Sequence, residues 1–418
     1  MEKQTPESDV AALSSAPVAG QPGALLSPMF LRVQLALAFL AFILIGAADG
    51  AVGVLLPSIS HTYDVNKAEV GLLFLMGATG YIAAAFSNGP LIERLGNRRS
   101  LALGLGLFAL AACVYSLRPP FWGLLIAAIG IGCGAGLIDA GLNAYIALLP
   151  RNTARLNYLH AFYGIGAWLG PLVATAVLTG GWQWNRVYTF WFGLSALLLI
   201  GVWFFFRDYV AQEQKEQATS GGNVLAAALR LRVVWLGAFF LLFYVGSEVS
   251  LGSWSYSLLT EARQQAAVFS GAAISGYWLG LTLGRLTLAN LAQRVGRKRL
   301  IQGCLAGVLL GVMLIWLAPN GAVAAAGLWL TGFSLGPIFP TTIALMSTLV
   351  PARLLPSAIG FLASLGSMGA AFFPWLAGAL AQRLGLWVLL PYVMALTLVM
   401  LGLWFSLQSQ PALPEAGD

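Results

Sequence analysis

The feature that most constrains this chain is a succession of twelve apolar runs, each roughly the length of a membrane crossing. They cover residues 30–57, 68–92, 101–117, 121–149, 158–178, 187–206, 233–258, 269–291, 300–318, 322–349, 357–381 and 387–408. Wound as helices rising ~1.5 Å per residue, runs of ~20 residues match a ~30 Å hydrocarbon core. Open sheet edges are excluded, because their N–H and C=O groups would find no partners in lipid. Twelve transmembrane helices are therefore predicted. Only 9% of the 418 residues are charged and 59% are hydrophobic, where soluble domains carry about a quarter charged residues. A soluble enzyme and a disordered scaffold are both ruled out.

Residues 1–29 are rich in Ala, Ser and Pro, lack periodicity and read as a disordered tail rather than a signal peptide. The longest polar break, 207–232, divides the rest into an N-terminal half (30–206) and a C-terminal half (233–408), followed by a tail at 409–418. With the N-terminus inside, sixteen Lys and Arg residues fall on inner segments and five in outer loops, leaving Arg285 within a span. That bias sets both termini in the cytoplasm. The net charge of +7 is then a topology signal, and no nucleic acid is expected as a partner. Cys113, Cys133 and Cys304 stand singly in apolar runs, with neither metal-ligand spacing nor a disulfide framework. No metal, cofactor or catalytic constellation is expected.

The two halves repeat at an offset of 200 residues. Gly46 pairs with Gly246, Arg94-Leu95-Gly96 with Arg294-Val295-Gly296, Gly132 and Gly136 with Gly332 and Gly336, and Gly166 with Gly366. One register shared by four helix pairs marks a duplicated six-helix unit, the plan on which a central site is exposed alternately to either side. The segment Gly89-Pro90-Leu91-Ile92-Glu93-Arg94-Leu95-Gly96-Asn97-Arg98-Arg99 resembles the loop 2–3 signature of the major facilitator superfamily, G-x-x-x-D-[RK]-x-G-[RK]-[RK]. It departs at Glu93 and Asn97, and the second copy has Gln293 in place of the acid. The resemblance covers nearly the whole chain and implies an all-α transporter with two pseudo-symmetric six-helix halves. Physically, Glu93 at the end of helix 2 can meet arginines and a helix N-terminus. Gly89, Glu93, Arg94, Gly96 and Arg98, with Arg294, Gly296 and Arg297, are expected to latch the cytoplasmic side; the plainer reading is that these arginines only set topology.

Four charges fall well inside the runs: Asp49, Asp139, Glu248 and Arg285. An acid at the bilayer centre costs ~2.5–3.5 kcal/mol on insertion scales, so it normally faces the bundle interior and marks a pathway. A carboxyl group in such surroundings can exchange a proton, and Asp49, Asp139 and Glu248 are the expected proton-coupling acids. Arg285 is expected to partner an acid or helix-end carbonyls. Asp139 and Asn143, four apart, share a helix face. Gly46–Gly50, Gly136–Asn143, Leu156–Gly164 and Glu248–Trp254 together resemble the fucose–galactose–proton symporter branch of the superfamily. That resemblance implies proton coupling and sugar binding at Asp49 and Asp139, with His160 near the sugar. Trp254, Trp278 and Phe339 suit sugar stacking, although aromatic residues also serve packing and membrane interfaces. Asn66 with Glu69 reads as a capping box for helix 2.

The expected function is secondary active transport of a small neutral polar solute, a sugar, coupled to protons or alternatively sodium. The alternative is a proton-driven exporter of lipophilic compounds, because Gly166-x-x-x-Gly170-Pro171-x-x-Ala174 partly resembles an antiporter motif. The protein is expected to be a monomer in the lipid bilayer of a bacterial cytoplasmic (inner) membrane.

Overall fold

A computed structural model describes residues 28–149, 152–207 and 224–410. The tail reading for 1–27 and 411–418, and most of the 207–232 linker, lie outside the described residues. Among the described residues, twelve helices are long and apolar enough to cross a membrane: α1 (Pro28–Tyr63), α2 (Lys67–Leu95), α3 (Asn97–Ser116), α4 (Phe121–Ala147), α5 (Asn152–Thr179), α6 (Asn185–Phe205), α7 (Arg232–Ala262), α8 (Ala267–Val295), α9 (Arg297–Leu317), α10 (Gly321–Leu349), α11 (Leu355–Leu384) and α12 (Leu386–Gln408). No strand occurs among the described residues.

Helix ends follow local chemistry. Asn66 Oδ1 accepts from the N–H groups of Ala68 and Glu69, and Glu69 Oε2 accepts from the Asn66 N–H, which completes the capping box at the start of α2. Gly96 (φ 81°) and Gly296 (φ 86°) make the tight turns from α2 to α3 and from α8 to α9, a region open to glycine at no steric cost. In α10 the helix breaks at Gly336–Pro337, between Leu335 and Ile338.

The 200-residue repeat is written into the packing. A Cβ at Gly132 would stand 1.8 Å from the Gly77 carbonyl oxygen, and one at Gly332 would stand 2.1 Å from that of Tyr277. Gly80 meets the Ile129 oxygen as Gly280 meets that of Trp329, and Gly136 meets Tyr81 as Gly336 meets Leu281. Helices α2 and α4, like α8 and α10, thus touch backbone to backbone through small residues, as membrane helices without a hydrophobic driving force between them tend to do. Gly166 and Gly170 do the same work between α5 and α1, against Ile43 and Ala47. The glycine–proline segment that resembled an antiporter motif therefore has a packing role within the first half.

The halves meet mainly on the side away from the termini. Lys67 Nζ lies 2.8 Å from Glu261 Oε2, and the Lys67 N–H donates to Gln382 Oε1 at 3.0 Å. Deeper in, Ser275 Oγ donates to the Trp168 carbonyl at 2.6 Å, and Gly53 abuts the backbone of Gly252 and Ser253. Among the described residues, nothing comparable ties the halves at the termini side. The Arg98 guanidinium donates to the Trp203 carbonyl and that of Arg297 to the Ala344 carbonyl, each within its own half. Glu93 is exposed and forms no ion pair among the described residues. Among the described residues, the halves are therefore joined on the far side and not on the side of the termini.

Candidate functional site: a water-reached polar cluster between the halves

Asp49 projects from the middle of α1. It is surrounded by protein on every side, yet solvent reaches it, so it lines an internal space open to water. Tyr163 Oη on α5 donates to Asp49 Oδ2 at 2.9 Å. The small residues pairing α1 with α5 bring this tyrosine within reach, for the Gly46 Cα lies directly against the Tyr163 carbonyl.

Asp139 on α4 is more tightly held. The Tyr81 hydroxyl donates to its Oδ2, and Asn143 Nδ2 donates to both its Oδ1 and its backbone carbonyl at 2.9 Å. One helical turn separates Asp139 from Asn143, as the i, i+4 spacing requires. Gly136 lets α2 approach closely enough for Tyr81 to reach the acid. His160 on α5 is exposed to the same space, sets its ring edge-on to Phe42 at 5.8 Å, and has Asp139 and Arg285 as its charged neighbours.

Across the space, the second half presents an ion pair. Arg285 Nη2 sits 3.5 Å from Glu248 Oε1. Arg285 Nε donates to the Gly336 carbonyl at 3.3 Å, and the sequence explains why that carbonyl is available. Its α-helical partner would be the N–H of residue 340, and Pro340 has none. The arginine thus joins an acid to an orphaned helix carbonyl. Tyr277 Oη donates to the Glu248 carbonyl at 2.8 Å, and the buried Tyr244 hydroxyl lies beside the Glu248–Arg285 pair. Phe339 is half-buried, with its ring 6.2 Å from that of Tyr244.

The structure draws Asp49, Asp139, Asn143, His160, Glu248 and Arg285 into one region but treats the two tryptophans differently. Trp254 is fully buried and its indole N–H donates to the Pro374 carbonyl at 2.8 Å, with its ring against Gly378. Its position on α7 pins that helix to α11, so in this state it packs the second half instead of stacking a solute. Trp278 is likewise buried, its ring against Gly252 and its Nε1 unpartnered. Tyr81, Tyr163 and Tyr244 are what sequence reasoning missed. Tyr163 lies three residues after His160 on the same helix face, and that spacing was a usable signal. Tyr81 and Tyr244 carry none.

The arrangement offers carboxylates, amide and hydroxyl donors, an imidazole and an aromatic face to a solute of modest size. A family model described as Major Facilitator Superfamily matches residues 38–269 and 251–417. The chain is 25% identical over 388 residues to Bypass of stop codon protein 6 of Saccharomyces cerevisiae, covering 85% of this chain and 78% of that one. It is 22% identical over 348 residues to a glucose/mannose transporter of Bacillus subtilis, covering 81% and 85%. Among solved structures, a nucleoside transporter superposes with a TM-score of 0.76 at 13% identity, covering 90% of this chain and 99% of that one. A D-xylose–proton symporter does so with a TM-score of 0.74 at 15% identity, covering 90% and 97%. At such identities the structural likeness speaks for the fold alone. With twelve helices in two matching halves and a family model that spans both, the chain belongs to the Major Facilitator Superfamily of membrane transporters.

Proposed function

We propose that this transporter carries a small neutral polar solute, a sugar, by alternating access coupled to protons. The observation that carries the reading is the disposition of the two acids of the first half. Asp49 and Asp139 stand mid-helix, reached by water, each hydrogen-bonded to a tyrosine hydroxyl. A carboxyl group in such a place has no structural ion pair to satisfy it and is free to exchange a proton. Glu248 already has Arg285 as counter-ion and is the acid least suited to coupling. Asp139, Asn143, His160 and Phe339 supply polar groups and an aromatic face for a sugar ring. The glucose/mannose transporter among the similar sequences supports the substrate class. The basic residues around Arg94–Arg99 and Arg294–Arg299 support placing the termini in the cytoplasm of a bacterial inner membrane. The open side would then face inward, with Glu93 and its arginines meeting only when that side closes.

The test is uptake into proteoliposomes under an imposed proton or sodium gradient, against a panel of monosaccharides. Accumulation of at least one sugar driven by the proton gradient is expected, with Asp49→Asn and Asp139→Asn each losing accumulation while retaining gradient-independent exchange. Full gradient-driven accumulation in both variants refutes the coupling assignment, and the absence of any transported sugar refutes the substrate class.

A further inference from the structure

A groove of about 460 Å³ lies on the outer face of the first half, between the start of α3 and the end of α6. Arg99, Ala102 and Leu103 of α3 form one wall; Leu199, Ile200, Trp203 and Phe204 of α6 form the other. Everything along its length is apolar except the end, where Arg99 stands exposed at the first turn of α3. Arg98, next to it, is committed to the protein. Its guanidinium donates to the Trp203 carbonyl and lies 5.1 Å from the Trp203 ring centroid, which fixes the indole as part of the wall. Arg99 has no ion pair among the described residues. The first N–H groups of α3 also lack a side-chain cap, so the helix end adds positive potential beside this guanidinium.

The geometry points to a binding site for one anionic glycerophospholipid, its phosphate at Arg99 and the glycerol end of one acyl chain in the groove. An apolar groove ending in an exposed cation is complementary to that amphiphile. Basic pockets between membrane helices recognise anionic head groups in this manner. At the positions that Ala102 and Leu103 hold in the groove wall, the second half has Gln302 and Gly303, so this apolar wall is not repeated there. At the equivalent end of α9, Lys298 Nζ donates to the Gln408 carbonyl at 2.7 Å and Gln302 Nε2 to Gln408 Oε1 at 2.9 Å. Those bonds tie α12 across the start of α9, and Arg299 occupies the position that Arg99 has in the first half.

The experiment is native mass spectrometry of the detergent-purified protein after incubation with equimolar phosphatidylglycerol and phosphatidylcholine of identical acyl chains. The wild type is expected to retain phosphatidylglycerol preferentially. Arg99→Gln lowers the retained ratio about fivefold, the worth of one basic residue beside anionic lipid, while Arg299→Gln leaves it at the wild-type value. Leu103→Trp, which fills the groove, reduces retention of both lipids. Equal retention of the two lipids by the wild type overturns the assignment, as does an equal fall in the two arginine variants. A lipid-free dimer would also overturn it, because a second copy would then be covering the groove.

Discussion

The far-side seal makes a quantitative prediction at Gly53. This residue of α1 faces the backbone of α7 in the opposite half. A methyl group there would stand 2.7 Å from the Ser253 carbonyl oxygen, 2.8 Å from that of Gly252 and 2.9 Å from the Ser253 Cα. All three atoms are backbone, so no side-chain rotation can relieve the overlap. Forcing extra volume into such a contact costs about 1–3 kcal/mol, paid only while the far side is closed. Gly53→Ala should therefore shift the balance towards the opposite-facing state by roughly 5- to 150-fold. The helix-forming advantage of Ala over Gly, about 1 kcal/mol, acts on α1 in both states and cancels. Spin labels at His61 and Arg383, exposed at the far ends of α1 and α11, report the outcome as a pulsed-dipolar distance distribution, which should move to longer separations. Gly50→Ala is the control. Its methyl would meet the Ala167 oxygen of the same half at 2.3 Å, so it should lower thermal stability without moving the labels apart. An unchanged distribution for Gly53→Ala refutes the claim that this contact closes the gate.

Three further outcomes are expected. Glu261→Gln removes the Lys67 ion pair but leaves the Lys67–Gln382 hydrogen bond; both side chains of the pair are partly exposed. The same label pair should therefore show a shift worth no more than about 1 kcal/mol. Arg285→Gln strands Glu248 and the Gly336 carbonyl together, and should lower stability by on the order of 2 kcal/mol after discounting for the partial exposure of the arginine. Adding Glu248→Gln should recover part of that loss, read as a rise in melting temperature over the single variant. Tyr81→Phe leaves Asp139 with Asn143 as its only side-chain donor among the described residues. Gradient-driven uptake should fall and its pH profile should move, whereas Tyr158→Phe, at an exposed position without a hydrogen bond to either acid, should leave the profile in place.

Much of the candidate site was legible along the chain because a charge in an apolar run is conspicuous. Asp49, Asp139, Glu248 and Arg285 needed no fold to be noticed, and the i, i+4 spacing placed Asn143 beside Asp139. Tyrosines are different. Twelve occur in the sequence, and in a membrane chain each is as well suited to an interface or a core as to a site. Only the close approach of α2 to α4 at Gly136, and of α1 to α5 at Gly46, selects Tyr81 and Tyr163. Trp254 fails in the opposite direction. Its position near Glu248 suggested a stacking surface, but α7 presents successive residues to different neighbours, and the indole turns to the Pro374 carbonyl on α11.

The sequence by itself determined the number of membrane helices, their approximate places along the chain and the duplication, while several helices, such as α1 and α5, extend beyond their apolar runs by several residues. Apolar run length is a one-dimensional quantity matched to bilayer thickness, and a repeat is visible in register without any fold. It also located the charges that a membrane tolerates only for a reason. Tertiary structure alone decided which acids are paired and which are reached by water, because both depend on contacts between helices far apart in the chain. It decided, too, that the signature segment around Glu93 stands open while Lys67, Glu261 and Gln382 close the far side. Whether two charged groups meet is a property of how one half leans on the other, and no spacing along the chain records that angle.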